Sequence, residues 1–210
     1  MLMVAYSVNG DAYDEATPVH LTHQPEGDHV LKYQTIVADP PWDYGKDNGR
    51  FPVNVGNENK HEPLPYSTMT TAEIAALPVA DWAFTDCRLF LWATNRHIHD
   101  AFHVAEAWGF VYRQMLVWEK TRSTPIGSVA PTRAEFMLVC KRGAPTTMQR
   151  FPSSVILASP GHHSQKPEAF LDYIEACSPP PRLEMFARRA RFGWDVWGNE
   201  APGPVALENA

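Results

Sequence analysis

Two consecutive prolines directly after a β-rich run constrain this chain more than any other feature of its sequence. Tyr33–Ala38 (YQTIVA) has the composition of a short strand, and it stops at Asp39-Pro40-Pro41-Trp42. Each proline locks φ at about −65° and removes a backbone donor, so no helix or strand continues through the pair. The turn is rigid, and its carbonyls are expected to point outward with no neighbouring N–H to claim them. A carboxylate at the strand end, stiffly presented carbonyls and an exposed indole make a receptor for an aromatic amine. Asp39 and the Pro40 carbonyl accept the two protons of an exocyclic NH2 group while Trp42 stacks on the ring. Accepting those protons draws the nitrogen lone pair out of conjugation, which makes a poor nucleophile usable.

Proline punctuates the rest of the chain as well, at 19 of 210 residues, nearly twice the usual ~5%. A long polar loop runs from Asp43 to about Thr68. Thr70-x-x-Glu73 is a capping box opening a short helix that Pro78 stops. Arg88–Ala93 (RLFLWA) is a continuous apolar run, as in a strand buried on both faces. Asn95 is a plausible N-cap for a helix whose inner face is Ile98, Ala101, Phe102, Ala105 and Trp108, ended by Gly109. Strands follow at Val111–Trp118, Phe136–Lys141 and Ser154–Leu157. Next comes a helix with Pro167 near its first turn and Phe170, Leu171, Ile174 and Cys177 inward. Leu183–Phe186 and Asp195–Trp197 are the last strands. This alternation predicts an α/β fold, a mostly parallel sheet with helices on both faces, and places ligand sites beyond the carboxyl ends of its strands.

The length predicts one domain, over residues 32–200, between an acidic arm (1–31) and a flexible tail (201–210). The arm holds Asp11, Asp14, Glu15, Glu26 and Asp28 without a lysine or arginine. Net charge is −6, which argues against a polyanionic partner. Arg113–Arg150, however, holds seven basic and two acidic residues, a local balance of +5 that permits a nucleic-acid-binding face. The apolar run Leu89–Ala93 is far short of the ~20 residues a membrane span needs, and the N-terminus lacks the basic region of a secretory signal. Cys87, Cys140 and Cys177 are widely spaced without a CxxC pattern, which suggests neither disulfides nor zinc and places the chain in a reducing cytoplasm.

The Asp39–Trp42 segment resembles the catalytic motif of amino-methyltransferases. In its Trp form it is similar to the DPPW-type adenine-N6 methyltransferases, the family of the catalytic subunit of the eukaryotic mRNA adenosine methyltransferase, here in a bacterial or phage-like short form. The likeness continues through Pro65-Tyr66-Ser67-Thr68-Met69, Leu89-Phe90-Leu91-Trp92-Ala93-Thr94 and Trp108-Gly109-Phe110. It resumes at His163-Ser164-Gln165-Lys166-Pro167 and Leu183-Glu184-Met185-Phe186-Ala187-Arg188, and closes with Trp197-Gly198-Asn199-Glu200. The resemblance implies S-adenosylmethionine as cofactor and a Rossmann-like methyltransferase fold with permuted motif order. It implies catalysis by Asp39, Pro40, Pro41 and Trp42. Lys166 would pair with the methionine carboxylate of the cofactor, and Asp39, Glu184, Phe186, Arg188, Asn199 and Glu200 would complete its site. Two departures stand out: Ala187 replaces the family's usual glycine, and Ala190-Arg191 replaces the His-Asn pair of the mRNA enzyme.

Two further clusters bear on function. His97, His99 and His103 have metal-like spacing but lack a flanking glutamate, and they are expected on a solvated helix face; no metal is expected. Trp118-Glu119-Lys120 is expected to end a strand. Lys120, with Arg122 and Arg133 of the loop expected after it, Thr121–Arg133, and the polar loop Asp43–Pro65 would form a rim gripping nucleic acid. The reading is an adenine-N6 methyltransferase acting on DNA as monomer or homodimer, with or without a partner subunit. The alternatives are RNA as substrate, or a catalytically silent nucleic-acid-binding subunit. A cytosine-N4 target fits the Trp form less well.

Overall fold

Alternation along two neighbouring strands decides how the sheet of this computed structural model is covered. The structure describes residues 4–6, 32–44, 67–124, 129–160 and 165–199. Strand β2 (Tyr33–Ala38) lies parallel to β3 (Ala83–Ala93) with Ile36 opposite Leu89 and Ala38 opposite Leu91. Successive side chains in a strand point to opposite faces. Ile36, Ala38, Leu89, Leu91 and Ala93 therefore join one apolar cluster, and Val37, Phe90 and Trp92 join the other. Helices α1 (Thr71–Ala75) and α3 (Ile98–Ala107) bury Ile74, Ala101, Val104 and Ala105 in the first cluster. Helix α4 (Glu168–Cys177) buries Phe170, Leu171, Ile174 and Cys177 in the second. Both faces are covered, as the sequence predicts.

The local signals behave as their chemistry requires. Thr70 caps α1 in a complete capping box, with Glu73 N–H donating to its hydroxyl at 3.2 Å and Thr70 N–H donating to the Glu73 carboxylate at 2.8 Å. Pro78 does end that helix, but it also precedes a second one-turn helix, α2 (Val79–Trp82), too short to show a period. Asn95 is not an N-cap. The chain turns helical one residue earlier, after extended Thr94, and Asn95–His97 form a 3-10 turn leading into α3. Gly109, at φ +80°, ends α3. Trp108 anchors the helix, its indole N–H donating to the Ile74 carbonyl at 3.1 Å.

The remaining strands are β1 (Val4–Tyr6), β4 (Val111–Thr124), β5 (Thr132–Arg142), β6 (Val155–Ala158), β7 (Arg182–Met185) and β8 (Asp195–Gly198). They complete one eight-stranded sheet in the order β1-β8-β7-β2-β3-β5-β4-β6. Four neighbour pairings are parallel, and three (β1–β8, β3–β5, β4–β5) are antiparallel. The β4–β5 pair is an extended antiparallel ribbon, longer than the apolar patterns alone suggest because its outer residues are polar. Within the segment read as an acidic arm, Val4–Tyr6 pair antiparallel with β8 as an edge strand; the rest of 1–31 and residues 201–210 lie outside the described residues. From β2 the chain proceeds to β3 on one side, and from β7 to β8 on the other. The adjacent carboxyl ends of β2 and β7 thus form a topological switch point, where open α/β sheets bind ligands.

Candidate active site

A cleft of about 280 Å³ opens at that switch point. It is lined from β2 by Val37 and Asp39, from β7 and the connection after it by Glu184, Phe186, Arg188 and Arg189, and from the start of α4 by Gln165, Lys166 and Pro167. Trp92, Phe170, Leu171 and Met185 supply apolar floor and wall. The register explains the convergence. Val37 is opposite Glu184 and Ala38 opposite Met185, so Asp39 and Phe186 leave their strands side by side.

The backbone at the β7 end is unusual. Phe186 has φ +62°, a conformation that costs a non-glycine residue of order 1–3 kcal/mol unless its surroundings hold it. Phe186 and Ala187 N–H groups both donate to the Trp197 carbonyl, at 2.5 and 3.2 Å. Gly198 makes this approach feasible, since a Cβ there would sit 2.8 Å from the Phe186 Cα. The close contact needed at Ala187 tolerates a methyl, so the departure from glycine leaves the turn intact; Ala187 is buried.

Charge in the cleft is arranged as a chain. Lys166 Nζ donates to both Asp39 oxygens, at 2.8 and 2.6 Å, and lies 3.4 Å from Glu135. Glu135, on β5, also holds Lys120 at 2.6 Å. Burial alone would depress the Lys166 ammonium, but the Asp39 and Glu135 carboxylates outweigh it and hold its pKa above the ordinary lysine value. Glu184 is the opposite case. Burial, with help from the Asp39 charge, pushes its carboxyl up to about 7, and its Oε2 is buried without a hydrogen-bond partner. A buried acceptor without a partner costs about 1–3 kcal/mol, so this oxygen is a ready receptor for a donor entering the cleft.

Several sequence expectations need correction. Trp42 is not an exposed indole but core, 4% exposed. Its Nε1 donates to the Trp92 carbonyl at 3.2 Å, and its ring stacks on His97 at 5.4 Å. The proline carbonyls are not unclaimed. Pro40 accepts from Trp42 N–H at 2.9 Å and Pro41 from Met69 N–H at 2.8 Å, each leaving one further lone pair. His97 is buried, not solvated. Its ring bonds the Thr94 hydroxyl at 3.0 Å and the Asp43 carbonyl at 3.2 Å, and burial lowers its pKa. His99 and His103 are exposed. Lys120 is no free rim cation, enclosed as it is by Glu135 and the Trp118 ring. Arg133 pairs with Glu119 at 3.0 Å. The Arg122 side chain lies outside the described residues.

Of the cofactor residues expected from sequence, Asp39, Lys166, Glu184, Phe186 and Arg188 meet in the cleft. Asn199 is exposed just beyond β8 and does not line it; Glu200 lies outside the described residues, as do Pro65, Tyr66, His163 and Ser164. Glu135 was not legible as a site residue. It is the one acidic residue of β5, just before the apolar run Phe136–Cys140, and its partners are 15 and more residues away.

Comparison with known proteins identifies the family of the chain. The family model MT-A70 matches residues 33–200. A type II methyltransferase, M.MunI from a Mycoplasma sp, is 34% identical over 81% of this chain and 78% of its own length. The human N(6)-adenosine-methyltransferase catalytic subunit METTL3 is 30% identical over 84% of the chain, but the match spans only 30% of that protein. The mouse N(6)-adenine-specific methyltransferase METTL4 is 27% identical over 80% of the chain and 37% of its own length. With four fifths of its residues inside the matched segment and the motif-bearing strands converging on one cleft, this chain belongs to the MT-A70 family.

Proposed function

We propose that the chain is an S-adenosylmethionine-dependent methyltransferase that methylates the exocyclic N6 of adenine in DNA. The observation that carries this is the pairing, in one cleft, of Asp39 after β2 with the unpartnered Glu184 oxygen at the end of β7. The residues present fit the cofactor. A buried acceptor without a donor suits a ribose hydroxyl, and Phe186, Leu171 and Met185 offer apolar surface to a purine. Arg188, which lines the same cleft, would add a polar contact. When bound, S-adenosylmethionine supplies an electrophilic methyl group.

The chain's own residues then prepare the acceptor. Asp39 accepts a proton of the target amine, and the second lone pair of the Pro40 carbonyl is available for the other. Pro40 and Pro41 hold that geometry without backbone freedom. Trp42 supports the turn from beneath through His97 and Trp92, a positioning role rather than direct stacking on the base. Lys166 grips both Asp39 oxygens and so fixes the orientation of that carboxylate. In this state its donors are directed at Asp39 and Glu135, and its contact with the cofactor's carboxylate would require it to share them. Extruding an adenine from a duplex costs a few kcal/mol.

DNA is favoured by the extent of the match to the type II methyltransferase, which covers most of that protein's length, whereas the adenosine enzymes are matched over a small part of theirs. No helix among the described residues is long and apolar enough to cross a membrane. The three cysteines are buried free thiols, which suits a reducing cytoplasm; the chain would act there as monomer or homodimer. The test is incubation with labelled S-adenosylmethionine and duplex DNA, single-stranded DNA or RNA, followed by nucleoside mass spectrometry. N6-methyldeoxyadenosine is the expected product. Methylcytosine, or no transfer to any substrate, would overturn the reading; transfer to RNA alone would replace DNA with RNA.

A further inference from the structure

We propose that Arg191 is a positioning residue that sets the width of the cofactor cleft by tying its two walls together, an inference that rests on this cleft being the cofactor site. One wall is the β7–β8 connection, which lines the cleft with Phe186, Arg188 and Arg189; the other is the start of α4, with Gln165, Lys166 and Pro167. Residues 186–194 form no helix or strand, so the first wall depends on tethers rather than on a ladder of its own.

Arg191 is the principal tether. Each of its guanidinium nitrogens meets a different carboxylate of α4: Nε at 2.6 Å from Glu175, Nη1 at 3.1 Å from Glu168 and Nη2 at 2.6 Å from Asp172. Those carboxylates are spaced four and three apart, one stripe along the helix, on the side away from buried Phe170, Ile174 and Cys177. Two neighbours reinforce the attachment. Wholly buried Trp194 donates its indole N–H to the same Glu175 oxygen at 2.6 Å, and Arg189 pairs with Glu168. The turn between them is closed by Trp194 N–H donating to the Arg191 carbonyl at 3.1 Å.

The arrangement specifies position more than it adds stability. Separate exposed ion pairs contribute about 0–1 kcal/mol. A planar guanidinium engaged at all three nitrogens has one orientation, which a lysine's point charge cannot reproduce. Position matters here because Phe186 and Arg188 lie three to five residues before Arg191, and Lys166 lies two residues before Glu168. Releasing the tether would let the walls separate without touching a group that meets the reacting atoms.

Affinity for S-adenosylhomocysteine by calorimetry and steady-state kinetics on DNA test this, alongside thermal melting. Arg191→Ala should raise both the Kd and the cofactor KM about tenfold while kcat stays within about twofold. Arg191→Lys should recover part of the loss, and Asp172→Asn, which removes one carboxylate from an exposed position, should raise the KM about two- to threefold. A wild-type chain that binds no cofactor analogue would remove the cofactor reading and this proposal with it. Wild-type binding with Arg191→Ala unchanged within about twofold in Kd and KM, even with a lower melting temperature, would overturn the clamp alone. If Arg191→Ala does not fold, normal affinity in both Arg191→Lys and Asp172→Asn would overturn it equally.

Discussion

Asp39 and Glu184 are both carboxylates at the ends of neighbouring parallel strands, yet their surroundings give them different work. Asp39 is paired with Lys166, itself held by Glu135, so its oxygens are fixed in the place where the proposed target amine would meet them. Asp39→Asn should reduce turnover by at least two orders of magnitude while cofactor affinity changes little, since general-base contributions run about 10²–10⁴-fold; single-turnover rates beside calorimetry check both halves. Glu184 carries a pH signature. Its folded-state pKa, about 7, lies above the ordinary 4.5, so the folded state binds the extra proton between those values. Stability contributed by this group is complete below about pH 4.5 and lost as pH rises toward about 7, an amount of order 3 kcal/mol. Glu184→Gln should flatten the melting-temperature profile across that window, and an unaltered slope would show that another group titrates there. Trp42→Ala, read from sequence as a loss of base stacking, becomes a core truncation. It should cost about 3–5 kcal/mol of stability by denaturant melting.

Among the elements, the turn after β7 is the most exacting. Phe186 keeps its left-handed backbone because the Trp197 carbonyl takes two N–H groups and because Gly198 leaves room beside the Phe186 Cα. Gly198→Ala should therefore displace Phe186 from the cleft wall and weaken cofactor affinity. An alanine variant with wild-type affinity would mean that the turn yields elsewhere. Capping at α1 is a milder local matter: Thr70→Ala should cost about 1 kcal/mol, measurable in the same denaturant experiment, with methyl transfer unaffected.

At the scale of the whole molecule, action on DNA would bring an acidic chain to an acidic polymer, and two cations read as part of the gripping rim are already paired. Lys120 and Arg133 already hold Glu135 and Glu119. Lys120→Ala should consequently leave the slope of log K against log salt for DNA unchanged, whereas loss of one phosphate contact would flatten it by about 0.9. A flattened slope would return Lys120 to the binding face.

Local chemistry was sufficient for much of this protein. The double proline after YQTIVA, the Thr70–Glu73 box, the Gly109 stop and the period of α4 each act within a few residues, so the end of β2, the cap of α1, the end of α3 and the inward face of α4 follow from the sequence alone. At the candidate site only Asp39, beside the double proline, was legible from local chemistry; Lys166, Glu184, Phe186 and Arg188 were named through the family resemblance. What the tertiary structure decided is how those groups are occupied. Whether Trp42 faces solvent depends on Trp92 and His97, some 50 residues on. Whether Lys166 and Lys120 are free depends on Glu135, which only the β3–β5 and β4–β5 pairings bring near them. Solvent exposure and ion pairing are set by whichever distant side chain folding delivers to within a few ångströms, and no local pattern encodes that distance.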